Sequence, residues 1–315
     1  MTSHVKHVVS LGECMIELRA TGANTLHQSF GGDTLNTAIY LSRLAGNHFQ
    51  VSYATGLGKD DPYSLQMLAA WEAEQIGLSL VSRSADRLPG LYTIQVDASG
   101  ERTFSYWRQF SAAKAYLDSD DCPLLQPSAK LDVLYLSGIS LAILPEAGRT
   151  RLLALMEHLH ARGAQIVFDN NYRPRLWSSP AEAIALYDDC YRLADIAQVT
   201  LDDEMALRGL DAQQAEAAVC ASGCREIVIK RGAQPCVIHA AGQRHEVSGQ
   251  RVATVVDTTA AGDSFGAGYL AARLRGLDEV SAAKAGHLLA ATVIQHPGAI
   301  IPSTAMPPLS ALFGG

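Results

Sequence analysis

The chain has 315 residues, of which 48% are hydrophobic and 18% charged, and a net charge of −7. This composition is typical of a globular protein with a large core, and the acidic balance argues against a nucleic-acid-binding surface. We find no apolar run of about 18 residues that would predict a transmembrane helix, and no basic and apolar N-terminal segment typical of a signal peptide, so we expect a cytoplasmic protein without membrane contact.

Apolar strand-like runs alternate with helical patterns along the chain. The predicted strands are Val5–Gly12, Val51–Ala54, Val133–Ser137, Ile166–Asp169, Ile196–Val199, Ile227–Lys230 and Val237–Ala240. The predicted helices are Asn36–Leu44, Pro62–Glu74, Pro145–Arg162, Pro180–Tyr191, Gly262–Arg275 and Val280–Gln295. This alternation predicts an α/β fold, with a mostly parallel sheet between layers of helices. Ligands bind such sheets beyond the carboxyl ends of the strands, near which Gly138, Asp169, Thr200 and Asp257 fall.

Two segments depart from this alternation. Leu91–Val96 and Arg102–Arg108 are strand-like and flank Asp97–Gly100, a good turn sequence, and Cys14–Phe30 lacks helical periodicity. We interpret residues 14–30 and 90–110 as a small β-sheet lid outside the main sheet.

Because side chains alternate between the two faces of a strand, the aromatic residues of this lid fall on shared faces. Tyr92 and Ile94 share one face of the first strand, and Phe104, Tyr106 and Arg108 share one face of the second. A face of this kind is typical of a substrate lid or a dimer surface. The alternative is a hairpin packed on its own sheet, with Arg108 reaching water.

The segment Thr254–Phe265 carries the clearest chemical signal. The apolar residues at the start of this segment predict the end of a strand. A turn of small residues follows, and a helix comes after the turn. The unpaired N–H groups and the dipole at the start of that helix favour an anion such as phosphate. Asp263, at the same helix start, either caps the helix or accepts a proton from a hydroxyl aimed at the phosphate, and the segment alone leaves both roles open.

A second small-residue turn, Gly31–Asn36, precedes the first predicted helix. Gly31 and Gly32 allow the backbone to approach a ligand closely, and Asp33 and Asn36 offer hydrogen-bonding groups suited to hydroxyls. A Gly-Gly turn with an Asp cap explains the segment equally well.

Both turns belong to longer strings that resemble the signatures of the ribokinase-like sugar kinases of the phosphofructokinase-B type. The strings are G-G-D-T-L-N-T-A-I-Y-L-S-R-L-A-G from Gly31 and D-T-T-A-A-G-D from Asp257. The resemblance covers essentially the whole chain and implies a single ribokinase-like kinase domain over residues 1–315, a three-layer sandwich with a lid.

The same resemblance implies ATP as the phosphoryl donor, Mg²⁺, and a sugar hydroxyl as the acceptor. It also implies that Asp263 is the base and that Ala260, Ala261 and Gly262 form the anion hole. Ala260 departs from the family pattern, which usually has Gly at this position.

Further segments, at residues 12–18, 168–177 and 201–204 and in the lid, are similar to the members that phosphorylate 2-keto-3-deoxygluconate. This resemblance implies a sugar acid that is phosphorylated on its terminal 6-hydroxyl. The implied sugar contacts are Gly31, Gly32, Asp33 and Asn36, and the implied contacts to the carboxylate and keto end are Tyr92, Tyr106, Arg108 and Arg173. The chemistry agrees, because a planar guanidinium can hold a carboxylate with two hydrogen bonds.

The resemblance also assigns the nucleotide and ion sites. The implied nucleotide contacts are Thr200, Lys230, Gly232, Ala233, Gly262 and Gly298. Asp257 and Thr259 match positions that hold a monovalent cation, chemically suited to K⁺, in some members. Glu204 matches the Glu of an N-x-x-E motif that positions Mg²⁺ indirectly, but Leu201 replaces the Asn. Mg²⁺ is then left to Asp202 and Asp203, or to ATP phosphates and water.

Two other functions stay open from the sequence. One is a fructokinase or another neutral-sugar kinase of the same fold, and the other is a catalytically silent protein that binds sugar or nucleotide. The retained Asp263 argues against the second. We expect only small-molecule ligands, a sugar acid and ATP, and a homo-oligomer for which the lid offers a surface.

Overall fold

The computed structural model describes residues 5–22, 24–96 and 102–314. Its strands are β1 (Lys6–Leu11), β2 (Met15–Gly22), β3 (Thr25–Gly31), β4 (Phe49–Gly58), β5 (Val81–Ser84), β6 (Leu91–Val96), β7 (Arg102–Trp107), β8 (Val133–Ser137), β9 (Gln165–Asp169), β10 (Ile196–Thr200), β11 (Glu226–Lys230), β12 (Cys236–Ala240) and β13 (Gln243–Val247). Its helices are α1 (Asp33–Ala45), α2 (Pro62–Ala73), α3 (Gly138–Ile143), α4 (Glu146–Ala161), α5 (Pro180–Leu193), α6 (Leu201–Arg208), α7 (Ala212–Cys220), α8 (Ala261–Leu274), α9 (Glu279–Val293) and α10 (Leu309–Phe313). Among these described residues, no helix has the length and apolar character needed to cross a bilayer.

The larger sheet orders nine strands of the described chain as β13-β12-β11-β10-β9-β8-β1-β4-β5. From β11 to β5 every neighbouring pair is parallel, whereas β12 and β13 join antiparallel at one edge. The carboxyl ends of the parallel strands therefore meet along one edge of the sheet, where ligands bind in folds of this kind. The predicted, mostly parallel sheet is confirmed.

Helices cover both faces of this sheet. Successive residues of a strand point to opposite faces. In β8, Tyr135 belongs to a buried cluster with residues of α1, α8 and α9, whereas Leu134 and Leu136 belong to a second cluster with residues of α4, α5 and α7. Burial of a leucine side chain contributes about 2 kcal/mol of transfer free energy, so both layers are held mainly by apolar contact. The three-layer sandwich expected from the family resemblance is confirmed.

The smaller sheet has the order β3-β2-β6-β7. β2 and β3 form one antiparallel hairpin, β6 and β7 form another, and the parallel pair β2–β6 joins the two hairpins. Tyr92 lies opposite Tyr106, and Ile94 lies opposite Phe104. The rings of Tyr92, Phe104 and Tyr106 contact one another on one face. The predicted small sheet is therefore present, whereas the predicted turn Asp97–Gly100 lies outside the described residues.

Periodicity did not predict the two strands at the edges of the larger sheet. β5 has the sequence V-S-R-S and pairs with β4 alone, and β13 has the polar sequence Q-R-H-E-V and pairs with β12 alone. An edge strand exposes many of its side chains to water, so those side chains need not be apolar. Strands of this kind leave little signal in a hydrophobic pattern.

Candidate active site

The segment before α8 is a loop, and this corrects one prediction. Thr254–Val256 is not the end of a strand, because it has no strand neighbour and the side chains of Val255 and Val256 are half exposed. The loop is fastened instead to the end of α9, where the Ile294 carbonyl accepts hydrogen bonds from the N–H groups of Val256 and Asp257. Asp257 therefore does not follow a strand of the sheet.

The start of α8 has the geometry of an anion site. The first helical hydrogen bond runs from the Ser264 N–H to the Ala260 carbonyl at 2.9 Å, and the Ala261 N–H donates to the Thr258 carbonyl at 3.2 Å. Gly262 and Asp263 lie within this first turn, where helix geometry supplies no i−4 carbonyl for an N–H. These N–H groups and the positive end of the helix dipole suit a phosphate.

Ala260 adopts the left-handed conformation, with φ 58° and ψ 18°. An L-residue in this region costs about 1–2 kcal/mol, whereas glycine enters it freely. The alanine that departs from the family pattern therefore occupies a position whose backbone favours the usual glycine.

The Asp263 side chain is partly buried and is bonded to a residue far away in the sequence. Its Oδ2 accepts a hydrogen bond from the Asn36 Nδ2 at 2.8 Å, and no side-chain capping bond is formed at the start of α8. Burial, with the negative charges of Asp33 and Asp169, raises the pKa of the Asp263 carboxyl from 3.8 to about 7, against the opposing effects of Asn36 and Lys230. The geometry thus favours the proton-accepting role over the capping role, because a base works best with a pKa near the working pH.

Charged side chains surround this carboxyl. The Lys230 Nζ donates to the Asp169 Oδ2 at 2.8 Å, and the Asn171 Nδ2 donates to the Asp33 Oδ2 at 2.6 Å. Lys230 also faces the helix start, since a side chain at Gly262 would approach its Nζ to 3.6 Å. From the sequence, Asp169 was noted at a strand end, and both Asp169 and Asn171 lie in the segment 168–177 used for the resemblance, but neither was given a role.

The lid residues approach the large sheet at the start of α1. A Cβ at Gly32 would overlap the Glu13 carbonyl, so only glycine fits there. The Tyr92 hydroxyl donates to Glu17, and Arg108 forms an ion pair with Glu13. Glu13 and Glu17 lie within a segment used for the resemblance, but neither was singled out from the sequence.

Arg173 lies apart from this group. Its guanidinium, with its side chain half exposed, pairs with Asp203 at 3.2 Å and donates to the Tyr172 carbonyl at 2.7 Å. Tyr106 is also half exposed, and the Arg108 guanidinium lies 6.0 Å from the centre of its ring. The structure thus brings Arg108 and Tyr106 together and places Arg173 beside α6.

The residues expected at the nucleotide lie on neighbouring turns. Thr200 ends β10, and its N–H donates to the Asn170 Oδ1 at 2.8 Å. Gly232 and Ala233 form the turn that follows β11 and Lys230. The Gly298 N–H donates to the Asp257 Oδ2 at 3.0 Å, which ties the loop after α9 to the loop before α8.

Asp257, in the loop before α8, is also part of the expected site for a monovalent cation. Its Oδ1 accepts hydrogen bonds from the Thr259 N–H at 2.8 Å and from the Thr259 hydroxyl at 2.6 Å. Carboxylate and hydroxyl oxygens are hard ligands of the kind that suits K⁺.

Glu204 is fully buried within a hydrogen-bonded network. It accepts from the Tyr191 hydroxyl at 2.6 Å, the Arg208 Nε at 2.5 Å and the Asn170 Nδ2 at 3.2 Å. A carboxylate that already serves three donors does not fit direct ligation of Mg²⁺. The described residues also contain no cluster of three or more His, Cys, Asp or Glu side chains arranged to hold a metal.

Comparison with known proteins agrees with this arrangement. The chain matches the family described as pfkB family carbohydrate kinase over residues 5–306. It is 49% identical over 308 residues to the 2-dehydro-3-deoxygluconokinase of Dickeya dadantii (strain 3937), covering 96% of this chain and 99% of that protein. It is 28% identical over 262 residues to a fructokinase of Salmonella typhimurium, covering 83% of this chain and 82% of that protein. Among solved structures, a PfkB protein from Polaromonas sp. JS666 has a TM-score of 0.78 and 27% identity over 93% of this chain and 96% of that chain.

The large, mostly parallel sheet and the separate small sheet are thus those of the ribokinase-like fold. The chain belongs to the pfkB family of carbohydrate kinases. Within that family, the chain is 49% identical over nearly its full length to a 2-dehydro-3-deoxygluconokinase, whereas its similarity to a fructokinase is more distant.

The conformation of Ala260 generates a stability prediction. Ala260→Gly should raise the free energy of unfolding by about 1 kcal/mol, because glycine adopts the left-handed conformation without strain. The measurement is urea unfolding at neutral pH. Ala261→Gly is the matched control, because the same substitution at a right-handed helical position should instead lower stability. A loss of stability in Ala260→Gly would contradict the strain argument.

The burial of Asp263 generates a prediction about pH. The pKa of Asp263 in the folded chain lies near 7, above the ordinary value of 3.8. Between these two pH values the carboxyl is ionised in the unfolded chain and mostly protonated in the folded chain. Wild-type stability should therefore fall as pH rises from about 4 to about 7. Asp263→Asn lacks this group, so its stability relative to wild type should grow over the same interval and level off above it.

Urea unfolding between pH 5 and 8.5 measures this difference. Asp60→Asn removes an exposed carboxylate and controls for the loss of one surface charge. A constant difference between Asp263→Asn and wild type across this range would contradict the raised pKa.

Proposed function

We propose that the protein is an ATP-dependent kinase that phosphorylates 2-keto-3-deoxygluconate, also called 2-dehydro-3-deoxygluconate, on its terminal 6-hydroxyl. The observation that carries the kinase reaction is the partly buried Asp263 carboxyl with its raised pKa, bonded to Asn36 at the start of α8. The nearly full-length similarity to a 2-dehydro-3-deoxygluconokinase supports the choice of substrate.

Asp263 is the general base of this proposal. As the sugar 6-oxygen attacks, a bond forms between that oxygen and the γ-phosphorus, and the bond from the γ-phosphorus to the β–γ bridging oxygen breaks. The hydroxyl proton goes to the Asp263 carboxylate, and ADP carries away the bond electrons. The N–H groups at the start of α8, with Ala260, Ala261 and Gly262 as the anion hole, stabilise the charge on the transferring group.

The acceptor lies between α1 and the lid. Gly31, Gly32, Asp33 and Asn36 contact the sugar hydroxyls, and Asn36 also orients the base through its hydrogen bond to Asp263. Tyr92, Tyr106, Arg108 and Arg173 hold the carboxylate and keto end. Because Arg173 pairs with Asp203 and has a half-exposed side chain, it has to change partner to reach the acceptor, whereas Arg108 is already beside the lid aromatics.

The nucleotide lies on the other side of the base. Its contacts are Thr200, Lys230, Gly232, Ala233, Gly262 and Gly298, of which Lys230 is the cation nearest to the start of α8. Mg²⁺ neutralises phosphate charge when bound, and we place it on the ATP phosphates and water, with Glu204 acting only through Asn170 and Thr200. A monovalent cation such as K⁺ fits beside Asp257 and Thr259, where it would stabilise the loop that forms the anion hole.

We further propose that residues 1–315 work as one kinase domain, with residues 14–30 and 90–110 as its lid, and that the protein forms a homo-oligomer. Two hairpins joined by a parallel strand pair support the lid, since they form a sheet separate from the large one.

The experiment that tests the function is ADP release from MgATP with a panel of acceptors. The panel contains 2-keto-3-deoxygluconate, its galactonate epimer, fructose, ribose and gluconate. Strong preference for the keto-deoxy acids is expected. Preference for fructose would retain the kinase and reject the role of the arginines, and failure to turn over any acceptor would reject the reaction.

The base assignment makes a kinetic prediction. Asp263→Asn should lower kcat by about two to four orders of magnitude and leave sugar binding nearly unchanged, because the amide cannot accept the proton. The wild-type kcat/KM should rise with pH through an apparent pKa near 7, since the base acts when ionised. Steady-state kinetics between pH 5.5 and 9 and direct binding of the sugar acid measure both. Unchanged turnover in the variant would reject Asp263 as the base.

The carboxylate assignment makes a second kinetic prediction. Arg108→Ala or Arg173→Ala should each raise KM for 2-keto-3-deoxygluconate by about tenfold or more, because each loses a charged hydrogen bond. Activity on fructose at high concentration is the control, since a neutral sugar offers no carboxylate. An equal loss on fructose would show that the arginines do not recognise the carboxylate.

A further inference from the structure

The described chain passes between the large sheet and the lid sheet four times. It does so between β1 and β2, between β3 and α1, between β5 and β6, and after β7. One residue from each passage, namely Glu13, Gly32, Gly90 and Arg108, contributes to a single contact group, which we call the lid hinge. Any movement of the lid relative to the large sheet therefore requires a change in the conformation of these segments.

Glu13 is the centre of the lid hinge. Its carbonyl lies so close to Gly32 that a Cβ there would overlap it. A Cβ at Gly90 would lie 2.8 Å from the Glu13 Oε1 and 3.1 Å from the Arg108 Cβ. The Glu13 side chain therefore fits against backbone that bears no side chains, and this packing limits the directions in which its carboxylate can point.

The carboxylate of Glu13 is paired with the arginine proposed to recognise the sugar acid. The Glu13 Oε2 accepts from the Arg108 Nη2, and the side chains are 1% and 13% exposed. The Glu13 Oε1 and the Arg108 Nε are also buried, and neither has a hydrogen-bond partner among the described residues. Glu13 thus engages one N–H of a guanidinium that carries five.

The Glu13–Arg108 ion pair is poorly suited to stabilising the folded chain. Removing two charges from water costs free energy that their attraction offsets only in part, and the single contact leaves polar atoms of both residues unpaired. The same arrangement is well suited to recognition, because an arginine held by one carboxylate keeps donors for a second carboxylate.

We propose that Glu13 is a positioning residue for acceptor recognition, which holds the Arg108 guanidinium at the lid hinge and leaves other N–H groups of that guanidinium for the carboxylate of the sugar acid. This inference rests on the proposed function, in which Arg108 binds that carboxylate. Glu13 acts through Arg108, so its effect should depend on Arg108 being present.

The test is a double-mutant cycle on the full-length enzyme, with KM measured separately for 2-keto-3-deoxygluconate and for ATP. Glu13→Ala should raise KM for the sugar acid by about tenfold, through the lost placement of a charged hydrogen bond, and leave KM for ATP and kcat nearly unchanged. Glu13→Gln keeps the shape and one acceptor oxygen, so it should restore part of the affinity. The double variant Glu13→Ala/Arg108→Ala should have the same KM as Arg108→Ala alone.

Glu74→Ala is the matched control for the loss of a partly buried ion pair. It removes the partner of Arg43 at the other end of α1, and the two residues are 27% and 11% exposed. This variant should be less stable than wild type but should keep the wild-type KM for the sugar acid.

The outcomes separate this inference from the function on which it rests. Multiplicative effects of Glu13→Ala and Arg108→Ala on KM, or an equal effect of Glu13→Ala on both substrates, would overturn the role of Glu13 and leave the kinase intact. No effect of Arg108→Ala on KM would reject the proposed carboxylate contact, and the role of Glu13 with it. If Glu13→Ala fails to fold, the same cycle is run with Glu13→Gln.

Discussion

The contact between Asn36 and Asp263 is the constraint on which the site depends. It joins the first turns of α1 and α8, from positions 227 residues apart in the sequence. Both helices pack on the same face of the large sheet, and this packing partly buries the Asp263 side chain. Burial gives the carboxyl a pKa suited to a base, and the asparagine fixes where the carboxyl lies relative to the anion-binding helix start.

The charge balance of the site follows from the same burial. Asp33, Asp169 and Asp263 lie near one another, and Lys230 is the cation whose charge most directly opposes theirs at Asp263. A site with this excess of negative charge suits a nucleotide that arrives with its own cation, since ATP phosphates alone would add to the repulsion. The guanidinium of Arg108 pairs with Glu13 and, in the proposed function, supplies positive charge at the acceptor end.

Much of the fold was predictable from local pattern. The buried strands and the long helices carry apolar periodicity, because each must present one stripe or face to the core. The edge strands β5 and β13 carry little of this periodicity. Val255 and Val256 are apolar like the residues of a buried strand, although they lie in an exposed loop. Hydrophobicity marks residues that tend to be buried, but it does not show whether a neighbouring strand exists to pair with them.

The chain by itself determined the order of the buried strands and long helices, the two small-residue turns and the chemistry available in each, because these depend on residue type and short spacing. The tertiary structure decided which of the carboxylates is buried, which arginine lies at the lid and which at α6, and that Ala260 takes a left-handed conformation. It also decided that Glu13 meets Arg108 and that Glu204 is enclosed by Tyr191 and Arg208. These outcomes depend on contacts between residues far apart in the sequence, and such contacts exist only after the sheet has brought its strand ends together.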